Sequence, residues 1–130
     1  MEILLIGAVL MIFAVLASAW LMTFARWFPI KGIDGNFLTD YKTLIRAHID
    51  FALMALFCLG FYAVKAPLSV TACWLVVIGG ITNPAVFIIA AFDPNFWEKS
   101  IWKIYTAISF ILTTIGFSWI AVNLLSFALN

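Results

Sequence analysis

The sequence predicts an all-α integral membrane protein, a four-helix bundle forming one domain over residues 1–130. Three observations predict it. Hydrophobic residues make up 66% of the chain and charged residues 10%, with a mean hydropathy of +1.16. A soluble domain is typically about 45–50% apolar and about 25% charged, so this chain has too little polar surface to cover itself in water. Four helices are expected, at about 3–25, 40–64, 68–92 and 104–129, each long enough to span, with the apolar part of the second starting after Arg46. The basic residues gather in two of the connections. Arg26, Lys31, Lys42 and Arg46 belong to the first, Lys99 and Lys103 to the second, and only Lys65 lies on the other side. That bias predicts two cytoplasmic connections and both termini on the non-cytoplasmic side. The net charge of +1 leaves no basic patch to track phosphates, which argues against a nucleic-acid partner.

The first run, Ile3 to Ala25, carries no charge. Ala17-Ser18-Ala19 imitates a signal-peptidase site, but the leading residues hold Glu2 and no Lys or Arg, so the segment is expected to be retained. Ala14 and Ser18 form a small-xxx-small pair that lets a neighbouring helix come close. Trp20 and Trp27 flank the exit as interfacial aromatics. The connection 26–42 contains Pro29, Gly32 and Asp34-Gly35-Asn36, which are turn formers, and Thr39 or Asp40 can cap the next helix.

The second helix opens on Arg46-Ala47-His48-Ile49-Asp50, which includes the only histidine of the chain. Ionisable groups inside a bilayer are costly and point to function. Arg46 and Asp50, at i and i+4, can pair on one face, while His48 points to the opposite face at about 100° per residue. Ala52 and Ala55 follow His48 at i+4 and i+7. They either leave room for a flat ligand or pack a helix seam. In the third helix, Pro84 cannot donate to the Gly80 carbonyl and should kink the helix, and Gly79 and Gly80 permit close approach. Asn83 needs a partner in hydrocarbon, through an interhelical hydrogen bond or at a cavity wall. At a rise of 1.5 Å per residue, His48 and Asn83 differ in depth by less than about 10 Å, so one haem-sized ligand can border both. After Asp93-Pro94-Asn95, with Trp97 and Trp102 at the interface, the fourth helix carries Thr113, Thr114, Gly116, Ser118 and Asn123 as its small or polar points.

One histidine without a second, and without paired cysteines, is a poor zinc site, which wants four ligands. It suffices for haem held by a single proximal imidazole, with Arg46 available to a propionate. Cys58 and Cys73 can lie at similar depth on neighbouring helices; they read as apolar fillers, and a disulfide stays open.

The Arg46-Ala47-His48 triplet, opening the second of four helices after a Gly/Pro-containing loop, resembles the styrene oxide isomerase family, to which the small hydroxylaminobenzene mutases are similar. The Thr82-Asn83 block adds a weaker likeness. The resemblance implies a homotrimer with haem b between adjacent subunits and His48 as the iron ligand, with Arg46, Ala52, Ala55 and Asn83 around the cofactor. It implies a small apolar substrate, an aryl epoxide opened by ferric iron acting as a Lewis acid, or a hydroxylamine rearranged instead. The family's polar amide and tyrosine are replaced here by Met54 and Phe87, so the expectation attaches to the haem ligand more than to the substrate. The expected location is a bacterial inner (cytoplasmic) membrane. The alternative is a non-catalytic accessory subunit with His48 as a helix-packing polar group.

Overall fold

The computed structural model describes residues 2–27, 41–93 and 95–130. They form α1 (Glu2–Trp27), α2 (Tyr41–Val64), α3 (Val70–Phe92), a single 3-10 turn (Phe96–Glu98) and α4 (Ser100–Leu129). All four helices are long and apolar enough to cross a membrane. Their outer faces carry exposed Ile6, Phe13, Leu56, Ile101 and Leu129, as expected where lipid rather than water is the neighbour. The loop formers between 28 and 40, including the cap candidates Thr39 and Asp40, lie outside the described residues.

Two helix starts differ from the sequence reading. α3 begins at Val70 rather than 68, because Ser69 stays extended and its carbonyl accepts from Cys73 N–H. α4 begins at Ser100 rather than 104. Lys103 is a helical residue whose N–H bonds the Lys99 carbonyl, so its charge marks the end of the apolar run and not the end of the helix. α2 ends on Lys65 with φ 59°, a left-handed cap that a non-glycine residue takes at some cost, with Lys65 Nζ 4.0 Å from the Tyr62 ring centroid.

The four helices pack around one buried cluster to which α4 adds Ile120, with Phe117 and Leu124 against it, but their backbones do not approach one another equally. α1, α2 and α3 pack as a triangle, and α4 lies along the outside of α3 without its backbone approaching α1 or α2. The cause is the placement of small residues on α3. A Cβ on Gly79 would run into Thr113 of α4, while one on Gly80 would lie 2.7 Å from Met11 Cε of α1. Adjacent glycines point about 100° apart on a helix, so α3 is approached closely from two sides. The shared core of the triangle is Leu4, Ala8 and Met11 with Phe51, Ala55 and Cys58, closed by Cys73 and Val76. α2 and α4 meet only through side chains, where Phe117 sits edge-on to Phe57 at 5.4 Å and to Phe61 at 5.7 Å.

The α3–α4 connection is a small structure of its own. Phe96 is fully buried, stacked on Trp102 at 5.4 Å and edge-on to Trp97 at 4.8 Å. Asp93 accepts from Lys99 Nζ at 2.8 Å and from Asn95 N–H at 3.0 Å. Those donors, Lys99 first, hold the Asp93 carboxyl below its ordinary range. A depressed carboxyl contributes stability above its unfolded pKa and loses it as pH falls through the lower folded value, that is, below about pH 4. Lys99→Met is expected to move the Asp93 titration, followed by side-chain carboxyl NMR, back up toward an ordinary aspartate, with little effect on folding because the pair is exposed.

Candidate functional site

α2 places its polar opening on three sides. Leu44, Ala47, Phe51, Ala55 and Cys58 recur at helical spacing and are buried. This stripe turns inward and fixes the rotation of the helix. His48, beside the stripe, is half-buried and faces α1. There its Nδ1 lies 2.8 Å from Ser18 Oγ, and Ser18 is itself buried and 2.9 Å from the Val15 carbonyl. A serine hydroxyl has one proton. Both contacts are satisfied together when Ser18 donates to Val15 and accepts from His48 Nδ1–H. The imidazole is then the Nδ1–H tautomer, with a lone pair on Nε2. Among the described residues the one buried side-chain N or O without a partner is Asn83 Oδ1. His48 Nε2, which makes no hydrogen bond, is therefore open to the surface of the chain.

Arg46 is exposed on the other side of α2, its guanidinium carbon 5.4 Å from the Phe87 ring centroid on α3. Asp50 is half-buried one turn further on. The two make no ion pair; among the described residues the single ion pair is Lys99–Asp93. The division expected from helical phase thus appears in contacts: His48 with α1, and Arg46 with α3. Ala52 is half-buried, whereas Ala55 belongs to the triangle core at 3% exposure and packs with Phe51 and Cys58. Asn83 lies between Gly80 and Phe87, on the part of α3 that faces the Arg46 side of α2. Within one chain His48 is not brought together with Asn83 or Arg46. Cys58 and Cys73 are free thiols buried in the core.

Ser18 is the residue that sequence reasoning passed over. It was read as a packing residue because of its spacing from Ala14. The available signal was its hydroxyl, a polar group in a long apolar run that needs an acceptor and can serve as one. Its partner is 30 residues away, beyond any local pattern.

No group of three or more His, Cys, Asp or Glu among the described residues could hold a metal ion. The donor set at His48 is one imidazole nitrogen, fixed from behind by a second residue. This is the arrangement usual for a histidine metal ligand, in which the outer hydrogen bond sets tautomer and orientation. A groove of about 190 Å³ lined by Leu16, Ala19, Trp20 and Thr23 lies on the face of α1 turned away from Ser18, so it does not form part of this site. In comparisons with known proteins, no family model, no curated protein and no solved structure matches the chain.

Proposed function

We propose that the chain crosses a bilayer four times, with the 26–46 and 93–103 connections in the cytoplasm and both termini on the other side, and that it binds haem b through His48 Nε2. The observation that carries the haem reading is the Ser18–His48 hydrogen bond, which leaves an oriented and accessible imidazole lone pair. In this reading His48 ligates iron, Ser18 positions His48, and Ala52 borders the same side of α2. Arg46 lies on the opposite side, so a haem shared between subunits of a homotrimer is the arrangement in which it and His48 can border one cofactor, while Asn83, its Oδ1 buried within the chain, stays outside that contact. When bound, haem supplies a Lewis-acidic iron for a small apolar substrate, an aryl epoxide or an arylhydroxylamine, and the protein is isomerase-like. The membrane is expected to be a bacterial inner membrane.

The test is the visible spectrum of the protein purified in detergent from cells supplied with haem. A Soret band that co-migrates with the oligomer supports the reading. A colourless oligomer overturns it and leaves the second reading, an accessory membrane subunit in which His48–Ser18 ties α1 to α2. That second reading is favoured by the same hydrogen bond, since it joins two helices. Aryl epoxides and arylhydroxylamines offered to the haem-loaded protein separate an isomerase from a haem carrier.

A further inference from the structure

We propose that the Asp50–Asn83 level of the α2–α3 seam, with the aromatic groove that opens beside it between α2 and α4, binds a small organic ammonium ion carrying an aryl body. The inference rests on the membrane reading above and is independent of haem.

Two contacts fix the register of α2 against α3. Met54 Cβ lies 3.5 Å from where a Cβ on Gly80 would sit, and Arg46 lies over Phe87. Asp50 is four residues from both Arg46 and Met54, so all three share one stripe of α2. Asn83 stands between Gly80 and Phe87 on the facing stripe of α3. The antiparallel register brackets Asp50 and Asn83 at one level. Ser109 of α4 reaches the same level through its 2.8 Å hydrogen bond to Thr82.

Neither facing group has a hydrogen-bond partner, and the charge that acts on Asp50 is that of Arg46, one turn away and out of ion-pair range. Asn83 Oδ1 is fully buried without a hydrogen bond. Asp50 makes no ion pair, and none of the hydrogen bonds among the described residues reaches it. With Arg46 drawn toward the Phe87 ring, the Asp50 carboxylate has no direct donor, and a carboxylate at this depth is costly without one. An ammonium group supplies both the charge for Asp50 and a second N–H for Asn83 Oδ1.

The body of the ligand is suggested by what lies next along α2. A groove of about 410 Å³ is lined by Met54, Phe57, Thr113, Thr114, Phe117 and Ser118. Thr113 and Thr114 already donate to the Ser109 and Phe110 carbonyls, so those hydroxyls have no proton left to offer a ligand. The edge-to-face Phe57–Phe117 pair offers ring faces that attract an organic cation. Met54 borders both the groove and the seam, and its unbranched side chain can swing to join them. From Asp50 to Met54 and Phe57 is about 6–10 Å along the helix, the reach of a phenylpropyl chain. His48 lies on the far side of α2, hydrogen-bonded to Ser18, so the two sites are separate.

The experiment uses the full chain in phosphatidylcholine nanodiscs, titrated with 3-phenylpropylammonium and with uncharged 3-phenylpropanol, and corrected with empty nanodiscs. Saturable binding of the ammonium is expected, at least tenfold tighter than that of the alcohol. Asp50→Asn should erase the tenfold preference while helix content and alcohol binding stay as they were. Asn83→Leu and Phe117→Leu should each weaken the ammonium more than the alcohol, and His48→Ala should change neither. No saturable binding above empty nanodiscs, or a preference that survives Asp50→Asn, overturns the proposal, as does an equal loss in His48→Ala. A chain that enters nanodiscs but binds no ammonium removes this inference alone; one that cannot be reconstituted removes the membrane reading with it.

Discussion

Gly116→Leu is expected to detach α4 from α3. A Cβ at position 116 would stand 2.8 Å from the Val76 backbone nitrogen and 3.0 Å from the Leu75 carbonyl carbon. Those are main-chain atoms of the helix at the centre of the fold, and they cannot turn aside as a side-chain tip can. Overpacking a close contact typically costs about 1–3 kcal/mol and more when backbone must move, and leucine adds three further carbons to the clash. α4 has no other backbone neighbour among the long helices, so the strain has one outlet, separation from α3. The measurement is the thermal midpoint in detergent, with protease susceptibility of α4 as the local readout. Gly60→Leu is the matched control. A Cβ at Gly60 meets nothing within 4 Å, and the position lines an open groove of about 450 Å³ with Leu53, Leu56 and Leu124. Its replacement also removes a helix-weakening glycine, worth about 1 kcal/mol. Gly60→Leu should be neutral or stabilising. Equal losses at the two positions would show that close approach at Gly116 does not hold α4 in place.

The same contrast explains how much of the fold was legible. Run length and hydropathy carry span number, because crossing a bilayer is a constraint on each segment by itself. Packing order is a relation between segments. Gly79, Gly80 and Gly116 announce close approach, but a glycine carries no information about which helix approaches it. The four runs therefore predict a four-helix bundle without saying that α4 packs its backbone on α3 alone and reaches the common core only through side chains such as Ile120. Lys103 was misleading for a related reason: a charge limits the apolar run, whereas the helix needs only backbone hydrogen bonds to continue through it.

At the site, phase was legible and partners were not. Counting 100° per residue separated His48 from Arg46 and Asp50, and the contacts with Ser18 and Phe87 follow that division. The same counting grouped Ala55 with Ala52 beside His48. The structure instead sends Ala55 into the core, because the inward stripe of α2 is wide enough to include it. Depth arithmetic put Asn83 near His48 in height without saying on which side of α2 it stands. The register set by Met54 against Gly80 answers that, and places Asn83 opposite Asp50.

If His48 holds haem as proposed, Ser18→Ala is expected to weaken haem binding without changing the ligand, and His48→Ala to abolish it. The two effects have different origins. Removing the imidazole removes the only histidine, so the Soret band should vanish while the oligomer and helix content persist. Removing the Ser18 hydroxyl leaves His48 Nδ1–H without its acceptor in an apolar seam, a loss of about 1–3 kcal/mol for an unsatisfied buried donor. It also frees the ring to rotate and to exchange tautomers, and loss of such an outer hydrogen bond typically lowers metal affinity about 10–100-fold. The measurable outcome is a haem dissociation rate that rises by one to two orders of magnitude in Ser18→Ala, with a Soret band still present at saturating haem. Ser18→Thr keeps a hydroxyl at the same Cβ and should restore slow release. A structural role for Ser18, confined to tying α1 to α2, predicts a lower thermal midpoint in Ser18→Ala with an unchanged release rate, and that result would remove Ser18 from the site while leaving His48 as the ligand.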